Sequence, residues 1–182
     1  MKKIFAFLII YVTLFSCSKK EKDINTDEDL VTTDFIKAFS EINLPIQFKE
    51  DYFDKKESDS NFIKSSVVSK FIPDSIFKND LGKIKEVKFF RKGRFTAEET
   101  GETYLFLVAQ KKEKKLAYVL CFDKEEIFKT GMVLSERSQT PSITYEGTLD
   151  RRLTITKIKN SNIGSGKAYY NKSVFVYNDR KQ

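Results

Sequence analysis

This sequence predicts a mainly β fold, an antiparallel meander preceded by a few short helices. Three observations predict it. From Ile84 onward, strand-length apolar runs follow one another at close spacing. Two of them, Tyr104 to Gln110 and Leu116 to Phe122, flank Lys111-Lys112-Glu113-Lys114 as hairpin strands flank a loop. Both runs are apolar at successive positions, which marks central strands covered on each face. Finally, aromatic residues make up 14% of the chain, with 17 Phe and 8 Tyr, and each aromatic buries a large area. A two-layer sandwich and a partly closed barrel fit equally well. An α+β fold, a curved antiparallel sheet with helices on one face, is the alternative.

Taken in order, the chain opens with Met1-Lys2-Lys3 and the apolar run Ile4-Phe5-Ala6-Phe7-Leu8-Ile9-Ile10-Tyr11-Val12-Thr13, then Leu14-Phe15-Ser16-Cys17. The run is about a dozen residues, a signal-peptide length and short of the ~20 a membrane-spanning helix needs. Positive start, apolar run, small residue and cysteine together resemble the signal peptide and lipobox of bacterial lipoproteins. That resemblance implies acylation of the Cys17 thiol and removal of residues 1–16, leaving Cys17 as a lipidated N-terminus. Each buried acyl CH₂ contributes roughly 0.8 kcal/mol, so two or three chains anchor stably. It also implies a place in the cell envelope, at the outer membrane, with the facing side left open. The lipid bilayer is then the first partner, reached through Cys17.

Ser18 to Thr33 is polar and charged and reads as a flexible tether. Its acids Asp27, Glu28 and Asp29 lack the glycine and distal glutamate of a calcium loop. A single domain is expected from Asp34 to Gln182. Thr33 or Asp34 caps a short helix that puts Phe35, Ile36 and Phe39 on one face. Leu44-Pro45-Ile46-Gln47-Phe48 reads as extended, with Pro45 suited to a strand start. Glu50 to Ser60 reads as a loop, and Phe71 to Phe77 as one helical turn with Pro73 at its first position. Val87 to Arg91 reads as a strand ending in the tight turn Arg91-Lys92-Gly93-Arg94. Further strands are expected at Phe128 to Leu134, Ile143 to Gly147, Leu153 to Ile158 and Val174 to Tyr177. Asn162 to Gly166 reads as a loop.

The absences narrow the chemistry. The chain holds no histidine, which removes Ser-His-Asp and Cys-His catalysis and the histidine-containing zinc sites. Two cysteines are too few for a cysteine zinc cluster. With Cys17 acylated, Cys121 has no internal disulfide partner, and its apolar neighbours make it a small buried hydrophobe. No tryptophan is present, which takes weight from sugar stacking. The net charge of +7 includes Lys2 and Lys3 of the leader, and the remaining excess reads as a lysine-rich solvated surface. Nucleic acid is not an expected partner for an exported chain.

No residue types and spacings stand out as catalytic, cofactor-binding or metal-ligating. Glu98-Glu99 and Glu125-Glu126 are adjacent acids, which a strand would point to opposite faces rather than across one cleft. Gly164-Ser165-Gly166 reads as a turn rather than a phosphate loop. Arg91, Lys92, Arg94, Arg151 and Arg152 are the candidate contacts for an anion or a partner, because the planar guanidinium fork binds oxyanions bidentately. The expected function is a non-enzymatic binding or accessory module of the envelope, possible partners being an envelope protein complex. The alternative is a carrier of a small apolar or glycan ligand in an aromatic-lined β cavity. A carboxylate-dependent enzyme or a periplasmic inhibitor stands behind both.

Overall fold

The computed structural model describes residues 23–137, 143–163 and 167–176. Residues 1–22, Cys17 among them, the turn expected at Gly164-Ser165-Gly166 and the strand end expected at Tyr177 lie outside the described residues. The fold is mainly β. Nine strands form one antiparallel sheet: β1 (Ile46–Phe48), β2 (Phe62–Ile63), β3 (Lys88–Thr96), β4 (Thr103–Lys111), β5 (Lys114–Phe122), β6 (Phe128–Arg137), β7 (Ile143–Leu149), β8 (Thr154–Ile163) and β9 (Lys167–Val176). β2 to β9 lie side by side in sequence order, and β1 pairs with β7 off that path. The sheet is open rather than closed into a barrel. Three short helices, α1 (Thr32–Lys37), α2 (Ser65–Phe71) and α3 (Ser75–Leu81), complete the architecture.

β4 and β5 form the expected two-sided centre. Leu105, Leu107 and Ala109 alternate with Tyr104, Phe106 and Val108 along β4, and all six are buried. The first set joins Leu116, Tyr118, Leu120 and Phe122 of β5 beneath the helices, with Phe35, Val68 and Phe77. The second set joins Ala117, Val119 and Cys121 on the opposite face, with Phe48, Phe53, Leu149 and Ile155. Each fully buried Phe contributes roughly 1.5–3 kcal/mol of transfer free energy. Cys121 is thus the buried hydrophobe its neighbours implied.

The second layer exists because the sheet folds back on itself. β7 shares only the pair Glu136↔Tyr145 with β6. It then lies across β6 so closely that a Cβ at Gly147 would sit 2.2 Å from the Leu134 carbonyl oxygen. Beyond that crossing β1 becomes its neighbour, through Phe48↔Gly147 and Ile46↔Leu149. A side chain at 147 would hold the two layers apart.

Several local expectations change. The packed chain begins ahead of Thr33, since Ile24 and Leu30 are buried in the helix-side core. The Asn25 side chain bonds the Phe62 carbonyl and the Lys64 amide. Sparse apolar residues in a charged stretch hid this packing. Neither Thr33 nor Asp34 caps α1; Val31 precedes it without a side-chain cap, and the Thr33 hydroxyl donates to Glu126. Pro73 leads into α3, its carbonyl accepting from the Ile76 amide, but Phe71 belongs to the end of α2 and the helix after Pro73 runs on to Leu81 rather than stopping after one turn. The loop between β1 and β2 contains two 3-10 turns, Glu50–Asp54 and Asp59–Asn61. Arg91-Lys92-Gly93-Arg94 is not a turn. It is a β-bulge inside β3, where register shifts between Arg91 and Gly93. Gly93 has φ +152 there, and a Cβ would meet the Ile42 side chain at 2.5 Å. Charged residues around a glycine look like a turn, but a bulge needs the same glycine.

Candidate functional site: basic side chains and an open strand edge

The β3 bulge decides what its basic residues can do. In a regular strand, residues three apart face opposite ways. The extra residue brings Arg91 and Arg94 onto the same face, opposite Leu107 and Leu105 of the helix-side layer. Arg91 Nη1 donates to the Ala38 carbonyl at 2.5 Å, and Nη2 to the Ser60 carbonyl. Arg94 Nε donates to the Phe39 carbonyl at 2.9 Å, and Nη2 to Glu41 Oε1 at 2.6 Å. Both guanidinium groups therefore tie down the carbonyls where α1 ends, as cations at a helix C-terminus do. Lys92 Nζ pairs with the buried Glu57 and lies 5.0 Å from the Tyr52 ring centroid. Burial and the neighbouring Glu57 carboxylate push the Tyr52 phenol well above its ordinary range.

Arg151 and Arg152 stand apart from that group, in the turn between β7 and β8. Arg151 Nε donates to the Leu44 carbonyl at 3.1 Å. Both arginines line an open groove of about 530 Å³ with Leu153, facing Glu98, Glu99 and Thr100 of the β3–β4 connection. The five basic candidates thus split into a clip on β3 and a groove carrying both charge signs. Beneath the groove lies an apolar space of about 70 Å³, lined by Tyr104, Cys121, Met132, Leu149, Leu153 and Ile155. Ligand sites run to roughly 300–1,000 Å³, so this space is a packing gap. Glu125 lies 3.5 Å from Lys124 on the surface, and Glu126 accepts from Thr33. Among the described residues, no group of three or more His, Cys, Asp or Glu is placed to hold a metal ion.

The two ends of the sheet differ. The β3 edge is covered twice: by β2 at Phe89 and Phe90, and by Ser40 and Ile42, whose carbonyl and amide bond Arg94. At the other end, among the described residues, β9 pairs with β8 alone. Across the last three strands runs an apolar row, Leu149↔Ile155↔Phe175. Its exposure rises from 1% at Leu149 through 8% at Ile155 to 45% at Phe175. On the other face Val174 is 54% exposed. The row starts in the core and ends at a bare strand edge.

The hairpin is also one-signed. From Thr154 to Val176 the sequence holds Lys157, Lys159, Lys167 and Lys172 and no acid. Lys157 and Lys159 lie 5.5 and 5.9 Å from the Tyr145 ring centroid. Burial lowers the Lys157 ammonium's pKa, against the opposing pull of Asp80 and Glu136. The sequence marks this hairpin only in part, through Leu153 to Ile158 and Val174 to Tyr177, whereas β8 runs on to Ile163 and β9 begins at Lys167. The acid-free stretch was the available signal. Comparison with protein-family models, with curated proteins and with solved structures returned no match.

Proposed function

We propose that this chain is a lipid-anchored, non-enzymatic binding module of the bacterial cell envelope, held at the outer membrane through acylated Cys17. It acts as an accessory subunit that presents the β8–β9 hairpin to another envelope protein. The observation carrying this reading is that, among the described residues, β9 pairs with β8 alone and leaves Val174 and Phe175 exposed, in a sheet whose other edge is covered twice. Unpaired edges invite strand pairing with another chain. The anchor rests on Leu14-Phe15-Ser16-Cys17 and its preceding run.

Two measurements test it. A photocrosslinker placed at Val174 of the intact lipoprotein should give one discrete adduct in whole cells, while the same group at Glu99 gives none. Recovery as uncrosslinked monomer from both positions overturns the accessory role. Cys17→Ala should abolish palmitate labelling and leave the leader attached. Continued labelling of that variant overturns the anchor.

A further inference from the structure

We propose that the β9 edge takes an acidic, extended peptide segment as a tenth strand, continuing the antiparallel alternation of the sheet. This rests on the hairpin being the binding surface and names the chemistry of what it binds. Three observations on the hairpin select that occupant.

The edge supplies main-chain groups. A strand paired on one side only leaves alternate N–H and C=O groups facing outward, and an added strand satisfies them without any side-chain pocket. The apolar row supplies the second contact. A neighbour of Phe175 on an added strand would continue Leu149–Ile155–Phe175 and cover a ring that is 45% exposed. Val174 offers the same on the other face.

Charge supplies the third. Lys172 sits opposite Ile158 on the face that Val174 shares, and β9 itself carries lysines but no acid. A second copy paired so that Lys172 meets Lys172 or Lys167 would set like charges across the strand pair, which is destabilising. A segment with an acid across from Lys172 and apolar residues across from Val174 and Phe175 reverses that sign. Read antiparallel, its sequence runs apolar, apolar, neutral, acidic.

The probe is the amidated heptapeptide Thr-Val-Val-Thr-Glu-Thr-Glu, titrated by fluorescence anisotropy against the full lipidated chain in neutral detergent. We expect saturable binding, with at least tenfold weakening when both Glu are replaced by Lys. Only alternate amides of a strand face one neighbour. Of the two alternately N-methylated peptides, one should therefore lose binding and the other keep it. Lys172→Glu, an exposed substitution checked for folding by circular dichroism, should weaken the acidic peptide at least tenfold and favour the Lys form. Equal binding of both N-methylated peptides overturns strand addition. Equal binding of the acidic and basic peptides overturns the charge assignment. Sedimentation of the chain as a dimer dispersed by Phe175→Asp assigns the edge to a second copy and overturns the proposal. So does Lys172-dependent binding to phosphatidylglycerol vesicles in place of the peptide. Loss of the Val174 crosslink in Phe175→Asp without any peptide binding keeps the binding surface and overturns the acidic strand alone.

Discussion

Gly147→Ala probes the feature on which the second layer depends. The added Cβ would lie 2.2 Å from the Leu134 oxygen and 2.6 Å from its carbonyl carbon. These are main-chain atoms, so no rotamer change relieves the clash. Restoring ordinary contact requires β7 to lift from β6 by about 1 Å at a carbon–oxygen separation of ~3.4 Å. Overpacking of this kind costs about 1–3 kcal/mol. The lift also strains the bond from the Ser135 hydroxyl to the Tyr145 carbonyl, which contributes about 1 kcal/mol. The expected loss is therefore about 2–4 kcal/mol. For a chain of this size, each kcal/mol moves Tm by about 2–4 °C, so Tm falls by roughly 4–16 °C. Urea unfolding followed by circular dichroism gives the free energy, and a thermal scan gives Tm. Gly82→Ala is the contrast. Its φ of +67 with ψ −129 favours glycine, so backbone strain of about 1–3 kcal/mol applies, but a Cβ there comes no nearer than 3.8 Å to the Lys111 ammonium and adds no clash. A Gly147→Ala protein within 0.5 kcal/mol of wild type would refute the crossing of β7 over β6.

Three further outcomes follow from the same structure. Arg91→Ala strips charged donors from the Ala38 and Ser60 carbonyls and should cost about 2–3 kcal/mol in urea unfolding. Arg152→Ala, at an exposed turn, should change stability by less than ~0.5 kcal/mol, and a reversed order would sink the clip assignment. Glu57 is 6% and Lys92 14% exposed, so Lys92→Met alone strands a buried carboxylate and should cost about 3 kcal/mol. The double variant Lys92→Met with Glu57→Leu should recover most of that, and simple additivity in a double-mutant cycle would contradict the pairing. Tyr118 is fully buried and donates to Asp80 at 3.1 Å; burial first, then Asp80 and Glu136, push its phenol far up, as burial and Glu57 push Tyr52. Unfolded tyrosines ionise near ~10, so the two phenols favour folding fully below that pH and lose the contribution as pH rises past it. Tm should be insensitive to them at neutral pH and fall above pH ~10, less steeply in Tyr118→Phe with Tyr52→Phe; an unchanged alkaline slope would count against both assignments.

The centre of the fold was legible because β4 and β5 announce it. Nine-residue runs with apolar side chains at both parities leave no solvent face, and the lysine-rich loop between them marks the hairpin. The first helix was legible from its large side chains Phe35, Ile36 and Phe39, all three buried, although α1 ends at Lys37 and Phe39 lies just beyond it. Legibility failed where a local signal had two structural meanings. Gly93 among charges signals a turn or a bulge equally, and only pairing with Phe106 separates them. Ile24 and Leu30 are single apolar residues among acids, and burial there depends on a surface built by residues far along the chain. The basic candidates show the same limit. Composition marks Arg91 and Arg94 as anion binders, whereas the carbonyls they hold belong to Ala38 and Phe39, which no spacing rule connects to them. The β9 edge was hidden for another reason. Lys167 to Ser173 shows no period of two, since Ala168, Tyr169 and Tyr170 stand together and so do Asn171, Lys172 and Ser173, so its strand character comes from pairing with β8 rather than from hydrophobic pattern.

The pairing of β1 with β7 sets an order of events as well as a shape. Ile46 waits for Leu149, so most of the domain must be present before the layer over Phe106 and Val119 can close. Loop closure over such a separation adds entropy cost and slows folding. A chain threaded across a membrane N-terminus first would keep that layer open until β7 had passed through. The lipid proposed at Cys17 would then sit at the end of the chain that crosses first, with the layer that needs β7 closing last.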